Sequence, residues 1–131
     1  MVLGIAVLLV TACGKTSPED QVRSTVHGFA DAVAHRDYQS LCDTYLSTAL
    51  ISGLEGAGLP CELALKPEIS ATERPHLDIR TVTVDGDRAK VAVHTTAANQ
   101  PPSDDTLALT RERGRWRIAS LAEAGPQPLA P

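Results

Sequence analysis

The sequence predicts a fold of the α+β class, in which helices pack on one face of an antiparallel sheet. Up to about residue 65, apolar residues recur at spacings of three and four, which is the period of an amphipathic helix. From His76 onwards, apolar and polar residues alternate, which is the period of a strand. Because the helices come before the strands instead of alternating with them, the pattern favours α+β over α/β.

The first helix is predicted from Pro18 to about His35. Ser17 can cap it, and Pro18 suits the first helical position. Glu19 and Asp20 are acidic and favour the positive end of the helix dipole. One apolar face follows, made of Val22, Val26, Phe29, Ala30 and Val33.

Two more helices are predicted before the strands. The second begins after Asp37, a suitable cap, and runs to about Ala49 with one apolar face. The third is short, from Pro60 to about Leu65, and Pro67 is expected to end it. Three glycines break the pattern between these helices, at Gly53, Gly56 and Gly58.

The strand region predicts four antiparallel strands. Thr81–Val84 and Ala89–Val93 flank Asp85-Gly86, which indicates a hairpin with a two-residue turn. Leu77 and Ile79 are out of phase with the following valines, so a β-bulge is expected near Arg80 or Thr81. We expect 99–105, with its two prolines, to be a polar loop. The last two strands are predicted around Leu107, Leu109, Trp116 and Ile118, with a turn at Gly114.

The N-terminal segment has the character of an export signal. Residues 1–12 are uncharged and almost wholly apolar, and they are too few to span a bilayer as a helix. Val10-Thr11-Ala12-Cys13 resembles a bacterial lipobox, which implies cleavage between Ala12 and Cys13 and a diacylglycerol on Cys13. No Lys or Arg precedes the apolar run, as expected if translation starts a few codons upstream. The alternative is a chance apolar N-terminus with a structural cysteine.

These features divide the chain into a signal peptide at 1–12, a lipidated tether at 13–19, one domain at 20–121 and a disordered tail at 122–131. The domain is expected on the extracytoplasmic face of the cell membrane. An exported domain should pair its remaining cysteines, Cys42 and Cys61, because that compartment is oxidising. Such a disulfide would stabilise the small aliphatic core by roughly 3 kcal/mol. A redox pair or a metal site is disfavoured, since no Cys-x-x-Cys is present.

Three runs of sequence resemble the nuclear-transport-factor-2-like (SnoaL-like) family, in particular short actinobacterial lipoproteins of that type. They are RSTVHGFADAVAHRDYQSLCDTYL, VTVDGDRAKVAV and LALTRERGRWRIASL. The resemblance implies a curved sheet that wraps the helices into a cone with a pocket at the open end. It implies no activity, because some relatives are dehydratases, isomerases or polyketide cyclases while others only bind partners.

Catalytic residues are not evident in the sequence. Among the histidines and acids, His94 could face a cavity, although it alternates with Val91 and Val93 and a surface position is the simpler interpretation. His27 and Asp31 fall off the apolar stripe of the first helix and are expected on its solvated face. No metal or cofactor motif is present, and a net charge of −4 without a basic block argues against nucleic-acid binding.

Four arginines surround the Gly114 turn: Arg111, Arg113, Arg115 and Arg117. They could contact anionic lipid head groups or a cell-wall polymer. The alternative is a charged hairpin that discourages edge pairing, in which Glu112 offsets part of the charge.

The sequence therefore predicts a non-catalytic binding or accessory domain, anchored to the membrane through Cys13. Its partner would be an envelope protein, a cell-wall component or a small apolar ligand. The alternative is a small isomerase, dehydratase or cyclase that uses His94 or an Asp in the cone.

Overall fold

The computed structural model describes Gly14 and residues 16–124, with side chains as far as Leu121. The predicted signal segment, Cys13 and residues 125–131 lie outside this described part. The helical elements are α1 (Pro18–Ala34), α2 (Tyr38–Ser40), a π-helix (Leu41–Tyr45), α3 (Thr48–Glu55) and α4 (Cys61–Ala71). The strands are β1 (His76–Asp85), β2 (Arg88–Ala97), β3 (Gln100–Glu112) and β4 (Arg115–Ala124).

The predicted α+β class is confirmed: helices pack on one face of a curved four-stranded antiparallel sheet in the order β1-β2-β3-β4. Register shifts interrupt all three strand pairings. Because each bulge bends and twists its strand, they curve the sheet around the helices. The bulge expected near Arg80 lies between Ile79 and Thr81.

The sheet has two distinct ends. At the turn end, β1 and β2 join through Gly86 and Asp87, one residue later than predicted, and β3 and β4 join through Arg113 and Gly114. Arg113 and Gly114 have positive φ angles of 51° and 78°, as the twist of a tight hairpin demands. At the open end, β1 begins at His76 and β2 passes to β3 through Ala98 and Asn99.

Helix α1 forms as predicted. The Ser17 side chain accepts a hydrogen bond from the Asp20 backbone N–H at 3.2 Å, which caps the first turn. Val22 and Val26 are fully buried, so the predicted apolar face points into the core.

The prediction of one continuous second helix to Ala49 is wrong. The chain leaves the helix at Leu46, which forms a parallel bridge with Ile118, and the Ser47 N–H donates to the Ile118 carbonyl at 2.8 Å. A new helix, α3, then starts with Ser47 as its cap and continues through Gly53. This pairing with β4 satisfies backbone groups and buries Leu46, which outweighs continuation of the helix.

Contrary to the prediction, Pro67 does not end the third helix but lies inside α4. Proline removes one backbone donor and weakens the helix locally. Continuation to Ala71 nevertheless places Ile69 against the same core that Leu65 reaches. Burial of this second apolar side chain offsets the lost hydrogen bond.

Residues 100–105 form the start of β3 rather than the predicted polar loop. Thr95 pairs with Ser103 and Ala97 with Gln100, so the two prolines stand opposite the single residue Thr96. Such a bulge is where a sheet tolerates proline, since no ladder hydrogen bond is required there. At the other end of the chain, β4 continues to Ala124, three residues beyond the predicted end of the domain.

The core lies between α1, the segment around Leu46, and the inner face of the sheet. It contains fully buried aliphatic side chains and, at the turn end, Trp116, which is 4% exposed. The predicted disulfide is confirmed: Cys42 and Cys61 are bonded, with their Cα atoms 6.1 Å apart. It joins the π-helix to the start of α4.

Candidate ligand-binding cavity

A cavity of about 600 Å³ lies at the open end of the sheet, between the helices and the inner face of β1, β2 and β3. Its deep wall is apolar and consists of side chains from α1, the π-helix, α3 and α4. Ligand cavities in proteins commonly have this size and a mainly apolar lining. The apolar lining includes Phe29, Ala30, Val33, Leu41, Leu46, Leu54, Leu65 and Ile69.

The wall formed by α4 is fixed to the open end of the sheet by Asn99. The Asn99 side chain donates to the Ala71 carbonyl at 2.7 Å and accepts from the Glu73 N–H at 3.0 Å. The Ala98 N–H also donates to the Glu73 carbonyl at 2.8 Å. The turn between β2 and β3 therefore holds the end of α4 beside the cavity mouth.

Three polar side chains form a hydrogen-bonded chain along one side of the mouth. The Thr95 and Ser103 hydroxyl oxygens are 2.8 Å apart, and the Ser103 hydroxyl donates to the Asp105 carboxylate at 2.7 Å. Thr95 and Ser103 line the cavity, and all three residues share the inner face with Val93.

A second polar group lies across the mouth, where α4 meets β3. The Thr72 hydroxyl donates to the Glu68 carbonyl at 2.9 Å and accepts from the Gln100 side-chain amide at 3.3 Å. Glu68, Thr72 and Gln100 all line the cavity. The mouth is thus polar while the interior is apolar.

His94, the histidine considered for the pocket, does not face the cavity. It lies on the outer face of the sheet, because it alternates with Val91 and Val93, which point inward. Its Nδ1 is 2.8 Å from the Asp104 carboxylate on β3, and the two side chains are 26% and 83% exposed. The structure thus has the surface position that the sequence favoured for His94, and the possible pocket position is wrong.

The other titratable side chains considered from sequence also lie outside the apolar interior. His27 and Asp31 are exposed on α1, as predicted. His76 stands at the rim of the cavity, where its Nε2 is 3.1 Å from the exposed Asp78 carboxylate. No carboxylate–imidazole pair reaches the cavity interior within the described residues.

The four arginines of the β3–β4 hairpin separate into two pairs. Arg111 binds the Asp87 carboxylate at 3.0 Å and stacks 5.1 Å from the Trp116 ring centre. Arg117 donates to the Asp43 carbonyl at 2.7 Å. Arg113 and Arg115 are exposed at the tip of the turn end. Two of the four guanidinium groups thus have structural partners, and two face outward.

Next to this tip lies a shallow cleft that includes Thr16 of the N-terminal tether. Thr16 and Gln21 line it together with Gly114 and Arg115. The tether therefore leaves the domain at the turn end, and the cavity opens at the opposite end of the same strands.

Glu112 links the hairpin to α3. Its carboxylate accepts from the Thr48 backbone N–H at 2.9 Å and from the Thr48 hydroxyl at 2.8 Å. These two hydrogen bonds hold the pKa of the Glu112 carboxyl below its ordinary value. Glu112 thus caps the helix that carries Leu54 into the cavity wall.

Across the described residues, no group of three or more His, Cys, Asp or Glu side chains is arranged to hold a metal ion. No helix among them is both long enough and apolar enough to cross a bilayer.

Comparison with known proteins supports the fold alone. The chain is similar to a solved structure described as a de novo designed NTF2 fold protein, NT-9, with a TM-score of 0.55 and 18% identity. The similarity covers 81% of this chain and 87% of the designed one. The protein therefore has a nuclear-transport-factor-2-like fold, as the sequence predicted. No protein-family model matches the sequence, and no curated protein matches it.

The polar residues of the mouth were missed at the sequence level, although a signal for them existed. Thr95 continues the inward alternation of Val91 and Val93, and Asp105 continues that of Leu107 and Leu109. The assignment of 99–105 to a loop concealed the second pattern.

Proposed function

We propose that the protein is a lipid-anchored, extracytoplasmic domain that binds a small apolar ligand in its cone without converting it chemically. The observation that carries this proposal is the 600 Å³ cavity with an apolar interior. A catalytic role was considered for His94 or for an acid in the cone. His94 lies on the outer face, and Asp105 accepts the hydroxyl hydrogen of Ser103. Both groups thus have structural roles.

The position of the tether supports membrane attachment with the cavity directed away from the bilayer. Thr16 follows Cys13 by three residues, which reach at most about 10 Å. A lipid on Cys13 would bring the turn end, with Arg113 and Arg115, within reach of anionic head groups. The thirteen residues of β3 would then place the mouth roughly 40 Å from the head groups. In this orientation the ligand enters from the aqueous side.

Ligand binding can be tested with the mature polypeptide, residues 13–131, carrying Cys13→Ser. The helices and strands of the described residues lie between Pro18 and Ala124, so removal of the signal segment leaves these elements intact. The uncharged fluorophore N-phenyl-naphthylamine should bind with increased fluorescence.

Ala30→Trp fills the cavity and should abolish this signal, whereas Ala34→Trp, exposed on the same helix, should retain it. Undiminished binding by a cooperatively folded Ala30→Trp protein would contradict the proposal.

The anchor is tested separately on protein purified from the membrane of the native host. Intact mass and peptide mapping should show a chain that begins at a diacylglycerol-modified Cys13. Cys13→Ser should leave the protein uncleaved or release it from the membrane fraction. An unmodified chain that retains Met1 would refute both the anchor and the proposed location.

A further inference from the structure

Resting on the proposed ligand-binding function, we infer that the ligand is an apolar molecule whose polar head donates a hydrogen bond and bears no negative charge, as in a long-chain alcohol. Hydrogen-bond acceptors lie at the mouth of the cavity, and its interior is apolar. The head group would lie among them while the apolar body fills the interior.

The direction of the hydrogen bonds at the mouth follows from Asp105. An ionised carboxylate can only accept, so the single hydroxyl hydrogen of Ser103 is used in the 2.7 Å bond to Asp105. The hydrogen between Thr95 and Ser103 must then come from Thr95. Since Thr95 has no second hydrogen, it offers the cavity only the acceptor lone pairs of its oxygen.

The second polar group of the mouth also offers an acceptor. Thr72 gives its only hydroxyl hydrogen to the Glu68 carbonyl, so it accepts from the Gln100 amide nitrogen. The Gln100 side-chain oxygen remains an acceptor and its amide nitrogen keeps a second hydrogen, while Glu68, which also lines the cavity, adds a negative charge. Both polar groups of the mouth therefore include an oxygen that can accept a hydrogen bond from a donor head group.

An anionic head group would meet unfavourable charges at this mouth. Glu68 lines the cavity, and Asp105 lies behind Ser103. Among the lining residues His76 is the one that could carry a positive charge, and its Nε2 is directed at the Asp78 carboxylate. A carboxylate or phosphate would therefore face like charges at this mouth.

The test compares lauryl alcohol with laurate, which have the same chain length and differ in the head group. Both compete with N-phenyl-naphthylamine for the residue 13–131 polypeptide with Cys13→Ser. Lauryl alcohol should displace the fluorophore at a concentration at least about tenfold lower than laurate, since one hydrogen bond and one avoided repulsion separate them.

Thr95→Val keeps the side-chain shape and removes the acceptor oxygen. It should lower the affinity for lauryl alcohol about threefold to tenfold and leave the affinity for laurate unchanged. Thr106→Val on the outer face of β3 is the matched control and should change neither affinity. The Asn side chain of Asp105→Asn can donate as well as accept, so the hydroxyls of Ser103 and Thr95 are no longer fixed as donors toward residue 105. This variant should therefore reduce the ratio of the affinity for lauryl alcohol to the affinity for laurate.

Each outcome of this experiment is informative. Laurate binding as tightly as lauryl alcohol, or equal losses for both in Thr95→Val, would overturn the inference about the head group and leave the binding function standing. Failure of both compounds and of the fluorophore to bind would overturn the binding function and the inference together.

Discussion

Glu112→Gln tests whether a charged carboxylate holds the β3–β4 hairpin to α3. Both oxygens of Glu112 accept from Thr48, at 2.9 Å and 2.8 Å. The glutamine keeps the shape and one acceptor, but it loses the second acceptor and the charge at the start of α3. Hydrogen bonds to charged groups contribute about 1.5–3 kcal/mol, and solvent screening of this half-buried side chain reduces that value. We expect a loss of about 1 kcal/mol in the free energy of unfolding at neutral pH.

The pH dependence separates charge from packing. The folded pKa of Glu112 is lowered, so its stabilising contribution is present above the pKa of the unfolded carboxyl. That contribution is lost as the pH falls through the lower, folded pKa. The difference in the free energy of unfolding between wild type and Glu112→Gln should therefore shrink as the pH falls through this acidic range.

Urea unfolding followed by circular dichroism, at a series of pH values, measures this difference. Glu55→Gln removes the same charge from an exposed position and should change stability by less than about 0.5 kcal/mol at neutral pH. A difference for Glu112→Gln that stays constant into strong acid would refute the electrostatic reasoning.

Three further variants test the disulfide, a close packing contact and a helix cap, and their stability can be measured by thermal and urea unfolding. Replacing Cys42 and Cys61 together with serine should cost about 3 kcal/mol, and an unchanged urea midpoint would contradict a stabilising disulfide. Gly28→Ala should destabilise the protein by about 1–3 kcal/mol although alanine has the better helix propensity. The new methyl group would overlap the Tyr45 ring, because its carbon would lie 2.7 and 2.8 Å from two ring atoms. A raised unfolding midpoint would show that the ring moves easily. Ser47→Ala should cost about 1–2 kcal/mol through loss of a buried cap, and the loss should exceed that of an exposed serine such as Ser52.

Sequence periodicity predicted the elements whose burial is decided locally. Helix α1 and the strand pairs around Gly86 and Gly114 each carry a complete apolar pattern and their own turn or cap residues. Agreement between local preference and the final fold is typical of such segments. The bulge near Arg80 was predictable for the same reason, because it is visible as a phase change in the alternation.

The elements that were predicted wrongly depend on contacts distant in sequence. Leu46 leaves the helix because it pairs with Ile118, which lies 72 residues further along the chain. Pro101 and Pro102 enter β3 because they lie in a bulge opposite the single residue Thr96 of β2. Proline and glycine signals describe local preferences, and here tertiary pairing overrides them.

The cavity follows from a change of composition along the inner face of the sheet. Toward the turn end, Val91 and Val93 are almost fully buried under α1 and the segment around Leu46. Toward the open end, the inward positions become Thr95 and Ser103, which remain accessible at the mouth. Stability is thus concentrated at one end of the sheet and ligand recognition at the other. Because Thr95 lies at the mouth, outside the fully buried core, Thr95→Val should alter ligand choice while leaving the unfolding midpoint close to that of the wild type.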